Sequence, residues 1–224
     1  MSLIDENVRK YIQDMLPFFD GKLGLIQKDA SENKIPIIPP ETARLLAFLV
    51  TVSKPKNILE IGCAVGFSAS LMAQYMPTDG KVTTIERYPA MIEKAKSNFA
   101  FMEAENKVRL LEGDANDILP TLTGSYDMIF LDAAKGQYIH FLPECIRLLQ
   151  TGGTLIADNV LQKGTLAADM NEIPRRQRTI HKRLRAFLQA ISSTKELQST
   201  IIPIGDGLSV SYKLAEKTKG ENER

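Results

Sequence analysis

The sequence predicts an α/β fold: a mostly parallel seven-stranded sheet with helices on both faces and an antiparallel carboxyl-terminal strand. Three observations carry this prediction. From residue 57 onward, short apolar runs alternate with stretches of helical periodicity, the order expected of strands joined by crossover helices. The last two apolar runs, Ser199 to Ile204 and Leu208 to Leu214, are separated by Gly205-Asp206-Gly207. That connection is a hairpin, so one of the two runs antiparallel. At 224 residues the chain is long enough for one domain with a substantial core.

The elements follow in order. Residues near Asp5 to Phe19 form an amphipathic helix pattern, and Gly21 to Lys34 reads as a polar stretch. Pro36, Pro39 and Pro40 punctuate the chain before a helical pattern resumes over Glu41 to Ser53. Strand and helix then alternate: Asn57 to Ile61, Ser68 to Tyr75, Lys81 to Glu86, Ala90 to Phe101, Val108 to Leu111, Ala115 to Leu119. Two further strands close on Asp132 and on Asp158-Asn159, with a helical stretch from Gln137 to Gln150 between them. A long helix is expected from about Pro174 to Ile191. The tail AEKTKGENER is expected to be disordered, for want of apolar residues. The resulting division is residues 1–53 as amino-terminal helices and lid, 54–214 as core and 215–224 as tail, all within one domain.

Composition excludes several classes. No apolar run approaches membrane-spanning length, and MSLIDENVRK lacks a signal-peptide core. Two cysteines, Cys63 and Cys145, cannot build a disulfide framework, so a reducing cytoplasm is the expected compartment. A net charge of +1 carries no global nucleic-acid signature. His140 and His181 are the only histidines, and they lie on separate helical stretches without zinc spacing.

Chemistry is concentrated at the strand ends. Met128-Ile129-Phe130-Leu131 terminates in Asp132, and Thr154-Leu155-Ile156-Ala157 terminates in Asp158 and Asn159. Buried carboxylates need compensating charge, and a hard divalent cation such as Mg²⁺ accepts oxygen ligands of this kind. One βαβ unit separates the two strands, so their ends meet at the sheet edge where ligands bind in open α/β folds. The alternative is that Asp132 is a loop acid and Asp158-Asn159 a turn or cap.

The first strand supplies the second signal, Glu60-Ile61-Gly62-Cys63-Ala64-Val65-Gly66-Phe67-Ser68. Glycines at a strand-to-helix turn permit tight curvature and close approach to a ligand. The dinucleotide fingerprint fails at Ala64, and no Gly-Lys-Ser/Thr is present to cradle a phosphate. An acid within the strand and no phosphate lysine suit a cationic cofactor without phosphates. Glu86 ends the second strand, where an acid can accept hydrogen bonds from ribose hydroxyls. Otherwise Glu60 caps a loop and Glu86 precedes a helix opened by Pro89.

Together LEIGCAVGFSAS, TTIER, GDA, FLDAAKGQY and LIADNV resemble the metal-dependent, catechol-type O-methyltransferases that use S-adenosylmethionine, over roughly Pro36 to Lys213. Within that family the chain is most similar to bacterial tRNA 5-hydroxyuridine methyltransferases, through IPIIPPETARLL and PIGDGLSVSYK. The resemblance implies a Rossmann-like class I methyltransferase fold. It also implies that Glu60 and Gly62 line the methionine end of S-adenosyl-L-methionine, with Ser68 near its carboxylate. Glu86 would hold the ribose, Asp114 and Ala115 would border the adenine, and Ile38 would close over the cofactor. Asp132, Asp158 and Asn159 match the metal ligands and Lys135 the catalytic lysine, with Asp132 serving metal, cofactor and catalysis together. Ala133 and Ala134 stand where the catechol enzymes carry bulky residues, which leaves room for a larger acceptor.

Methyl transfer from a sulfonium needs an oxyanion aligned with the methyl group. A bound divalent metal lowers the pKa of a coordinated hydroxyl and orients it. Catechols can chelate such a metal, and so can 5-hydroxyuracil. Lys135, near the metal, could be pushed toward its neutral form and take the proton. Its alternative is a solvated lysine at a helix start, a position unfavourable to a cation.

Between Arg175 and Arg185 stand six Lys or Arg residues and no acid. With Ile180, Leu184, Phe187 and Leu188 toward the core, the basic residues face outward, either as a solvated face or as a phosphate-binding surface. For a tRNA partner, Arg175, Arg176, Arg178 and Lys182 are the candidate phosphate contacts. Val160 to Ile173 would shape the acceptor opening, with Gly164 as its flexible point. Cys63 reads as a packing residue. Val8, Ile12, Leu16 and Phe19 read as packing, with a homodimer surface implied by the resemblance. The alternatives are a small catechol or phenylpropanoid-like acceptor, a non-catalytic nucleotide- or nucleic-acid-binding module, and, more remotely, a nicotinamide dehydrogenase.

Overall fold

The computed structural model describes residues 4–215. Strands β1 (Asn57–Ile61), β2 (Lys81–Glu86), β3 (Val108–Glu112), β4 (Tyr126–Leu131), β5 (Leu149–Ala157), β6 (Leu197–Ile202) and β7 (Leu208–Lys213) form one sheet. Their order is β3-β2-β1-β4-β5-β7-β6. β7 runs antiparallel to both of its neighbours, and the other pairings are parallel. The chain thus inserts its last strand between β5 and β6, as a hairpin permits and a crossover does not.

Alternation along the central strands separates two apolar layers. Ile58, Met128, Phe130 and Ile156 face one layer with α2 (Gly21–Glu32), α3 (Pro40–Ser53), α4 (Phe67–Tyr75) and part of α5 (Pro89–Phe101). Leu59, Ile129, Leu131 and Leu155 face the other, with α6 (Ala115–Ile118), α7 (Tyr138–Leu148) and α8 (Arg178–Ser193). Strand order reverses between β1 and β4, so the carboxyl ends of β1, β2, β4 and β5 open onto a common crevice.

Several boundaries depart from expectation. The stretch read as polar, Gly21 to Lys34, contains α2. Leu23, Ile26 and Ala30 supply its buried stripe, and Gln27 is buried because its side-chain oxygen accepts the Phe19 N–H at 3.0 Å. A narrow stripe amid lysines, acids and glutamine left little hydrophobic contrast in the sequence. The long basic helix begins at Arg178, after a separate 3₁₀ turn over Arg175–Gln177.

The amino-terminal helix α1 (Glu6–Asp14) is capped by the Asp5 carboxylate but buries none of its residues. Val8, Tyr11 and Ile12 are exposed, and Gln13 ties the helix to Glu41 of α3 at 3.1 Å. Of the residues expected to pack, only Phe19 is buried. No helix among the described residues is long and apolar enough to cross a membrane. Beyond Ala215, the tail expected to be disordered lies outside the described residues.

Candidate active site

The turn after β1 is shaped by what lies beside it. Gly62 has φ +100°, and a Cβ there would sit 2.1 Å from the carbonyl oxygen of Asp132. Only glycine allows this approach, which brings the end of β1 against the end of β4. The N–H groups of Gly62 and Cys63 both donate to the Ile85 carbonyl, at 3.0 and 3.2 Å, tying the turn to β2 as well. Burial pushes the Cys63 thiol well above its ordinary range, which supports the packing role expected of it.

A cleft of about 330 Å³ opens beside this turn. Gly62, Glu86, Asp114, Ala115, Asp132 and Ala134 are among its walls. A small second recess adjoins it, lined in part by Ile38, Ser68, Gly62 and Asp132. The structure therefore gathers seven of the expected cofactor residues around two adjoining hollows. Glu60 is not among their walls. It lies fully buried beneath the turn, where the Thr84 hydroxyl donates to Oε2 and Oε1 has no hydrogen-bond donor in good geometry. Burial raises its pKa to about 7, offset in part by the Ser68 and Thr84 hydroxyls.

Glu86 is rigidly held. Its carboxylate accepts the N–H groups of Ala64 at 2.8 Å, Arg87 at 2.8 Å and Tyr88 at 2.9 Å. Asp114 accepts the N–H and side-chain amide of Asn116 and pairs with Arg87 at 2.9 Å; Asn116 first, then Arg87, holds its pKa low. Arg87 in turn lies 4.9 Å from the Tyr88 ring.

The acid-tipped strands meet as expected. The N–H of Asp132 donates to Ile61 and that of Asp158 to Leu131, both at 3.0 Å, so the ends of β1, β4 and β5 are level. Burial raises the pKa of both carboxyls. Asp132 is raised further by the charges of Asp158 and Glu60, while Lys135 lowers it. The Asn159 N–H donates to Asp158 Oδ1 at 2.6 Å, but Asp158 Oδ2 is buried with no partner. Asn159 itself takes a left-handed φ of 59°. Among the described residues no three His, Cys, Asp or Glu side chains form a metal cluster by themselves. The set here is two acids and an amide, and the two close carboxylates with an orphaned oxygen fit a hard divalent cation.

Lys135 lies in a 3₁₀ turn, Lys135–Gln137, and its ammonium pairs with Asp206 at 2.9 Å. Sequence reasoning missed Asp206, because an acid between two glycines looks like ordinary turn chemistry. Tyr138 was missed as well. It is fully buried, donates to the Asp158 carbonyl at 3.1 Å and packs edge-on against Phe187 of α8.

The basic run divides into engaged and exposed residues. Arg178 is tied to the Ile173 carbonyl at 2.9 Å, and Arg183 to the Gly136 carbonyl at 3.1 Å. Arg175, Arg176, Lys182 and Arg185 remain exposed. Leu184 and Phe187 are buried as expected, and Ile180 and Leu188 partly so.

Comparison with known proteins decides the family. The profile described as O-methyltransferase matches residues 25–214. This chain belongs to the O-methyltransferase family. It is 33% identical over 177 residues to a catechol O-methyltransferase of Niastella koreensis, covering 76% of this chain and 80% of that one. A Staphylococcus aureus structure provisionally assigned as a caffeoyl-CoA O-methyltransferase matches with a TM-score of 0.85 and 34% identity, over 93% of this chain and 100% of that one. The O-methyltransferase TomG of Streptomyces achromogenes, solved in complex with SAM, matches with a TM-score of 0.80 and 27% identity, over 93% and 97%. The protein is thus an S-adenosylmethionine-dependent O-methyltransferase of the catechol and caffeoyl-CoA type. Its fold is the Rossmann-like methyltransferase fold, and family membership sets aside the non-catalytic and dehydrogenase alternatives.

Proposed function

We propose that this O-methyltransferase methylates the 5-hydroxyl of 5-hydroxyuridine at the wobble position of tRNA anticodons, yielding 5-methoxyuridine, with S-adenosyl-L-methionine as donor and Mg²⁺ or another divalent cation as cofactor. The observation that carries the tRNA reading is the attachment of the basic helix to the site. The Arg183 guanidinium bonds the Gly136 carbonyl, next to Lys135, while Arg175, Arg176 and Lys182 remain exposed on the same segment. Phosphate contacts supply much of the affinity for nucleic acid, and clustered exposed cations provide them. Ala133 and Ala134 at the cleft support an acceptor larger than a catechol.

Asp132, Asp158 and Asn159 would hold the cation, and the unpartnered Asp158 Oδ2 is the reason to expect one. When bound, a divalent cation acidifies and orients a chelating hydroxyl. Glu86 and Asp114 are held ready for the polar edge of the cofactor, and buried Ile38 closes the recess on the other side. Lys135 would receive the hydroxyl proton as a neutral amine, after its ammonium, which pairs with Asp206, has released a proton to solvent.

The whole chain would act as one domain in the cytoplasm, with residues 1–53 as helices and lid. A homodimer would cover the exposed apolar residues of α1.

The second reading is a small catechol or phenylpropanoid-like acceptor, favoured by the names of the similar proteins. Purified enzyme assayed on tRNA bearing 5-hydroxyuridine and on a catechol panel separates the two. Transfer to tRNA supports the proposal; transfer to catechols alone rejects it.

A further inference from the structure

The turn between β6 and β7 reaches into the site from a part of the chain remote in sequence. Its Asp206 carboxylate is shared. Oδ2 accepts from the Lys135 ammonium at 2.9 Å, and Oδ1 accepts the main-chain N–H of Lys163. The Asp206 side chain is only 17% exposed and that of Lys135 28%, so water competes weakly for this pair.

The main chain of the turn grips the same segment. Leu161 N–H donates to the Asp206 carbonyl at 3.0 Å, and Val160 N–H to the Gly207 carbonyl at 2.9 Å. Gly207 has φ +86°, and a Cβ there would lie 2.4 Å from Leu161 Cγ, so this contact requires glycine. The segment so held begins directly after Asp158-Asn159 and is strained. Gln162, Lys163 and Gly164 have φ values of 47°, 53° and 79°, three consecutive left-handed residues of which two are not glycine. Such a run persists only when its surroundings over-determine it, and the bond from Lys163 to Asp206 is one such restraint.

We propose that Asp206 is a positioning residue that seats Lys135 and the strained Gln162–Gly164 turn in a single arrangement. Through one carboxylate, the lysine after β4 and the segment after β5 take their places together. The inference rests on the reading of Lys135 as the group that handles the acceptor proton. Asp206 touches no reacting atom; it acts through the lysine and the turn.

Two substitutions separate its bonds. Asp206→Asn keeps an oxygen for the Lys163 N–H but removes the charge facing Lys135, whereas Asp206→Ala removes both. Hydrogen exchange read at residues 160–166 in the purified protein needs no acceptor. Asp206→Ala should speed exchange at Lys163 while Asp206→Asn preserves its protection. With hypomodified tRNA and a catechol as parallel acceptors, kcat should fall about 100-fold in Asp206→Ala and measurably in Asp206→Asn, with the affinity for S-adenosylmethionine unchanged. In a Lys135→Met background, Asp206→Asn should cost little more, since a residue acting through the lysine loses its effect with it.

Unchanged Lys163 exchange in Asp206→Ala would overturn the seating of the turn. Fully additive losses in the double variant would overturn action through Lys135. A fully active Lys135→Met overturns the reading of the lysine itself and the catalytic half of this inference. An inactive Lys135→Met beside a fully active Asp206→Asn overturns the role of Asp206 alone.

Discussion

Asp132 and Asp158 occupy equivalent positions at the ends of adjacent parallel strands, and the charge of Asp158 raises the cost of ionising Asp132 beyond that of burial. Their backbones are locked at one level by the bond from Asp158 N–H to Leu131, 3.0 Å long. Among the described residues neither carboxylate forms a salt bridge, and one oxygen of Asp158 is orphaned. An orphaned carboxylate oxygen beside a second buried acid is a reason to expect a ligand there.

A divalent cation should therefore stabilise the folded protein. At a concentration about 100 times its Kd, Mg²⁺ is expected to add about 2.7 kcal/mol, a Tm increase of roughly 5–11 °C for a chain of this size. Asp158→Ala should abolish the increase and reduce methyl transfer at least 100-fold. Thermal scans with and without Mg²⁺ check the first outcome, and initial rates check the second.

Glu60 gives a pH dependence whose sign follows from burial. Its pKa rises from the ordinary 4.5 to about 7 in the folded protein. Its contribution to stability is then fully present below about pH 4.5 and lost as pH rises through 7, amounting to roughly 3 kcal/mol. The cofactor-free Glu60→Gln protein should lack this loss and exceed wild type in stability at pH 8.5. Urea unfolding across pH measures the difference; parallel curves for the two proteins would reject the assignment.

Gly62→Ala tests the meeting of β1 and β4. The added methyl would strike the Asp132 carbonyl at 2.1 Å in a left-handed conformation. Backbone strain alone is worth about 1–3 kcal/mol, and relief of the clash must move Asp132. We expect destabilisation of at least that size, with cofactor affinity lowered by calorimetry.

The basic face has its own signature. Replacing Arg175 and Arg176 by Glu should raise the KM for tRNA and flatten its dependence on salt by about one logarithmic unit of slope per lost phosphate contact. Turnover of a catechol acceptor should be untouched. Equal tRNA kinetics at low and moderate salt would remove this surface from consideration.

Much of the site was legible in the residues, because it follows from local chemistry. An apolar strand that ends in an acid, as at Leu131-Asp132, reports burial and charge within one short run. The spacing from Glu60 to Gly66 likewise encodes a turn without phosphate ligands. The α2 helix was hidden because its stripe rests on three small or medium apolar residues amid polar ones.

By itself, then, the sequence determined the β-α alternation, the terminal hairpin, and the collection of Asp132, Asp158 and Asn159 at one edge. Periodicity and strand polarity are local properties, and the topology rules that join them admit few arrangements. Only the tertiary structure decided that Glu60 lies beneath the hollows, that α1 leaves its apolar residues uncovered, and that Arg178 and Arg183 are engaged while Arg175 and Arg176 stay free of that role. It also decided the partner of Lys135, a carboxylate 71 residues away. Such pairings depend on which side chains meet after the sheet has closed, and no spacing along the chain records that.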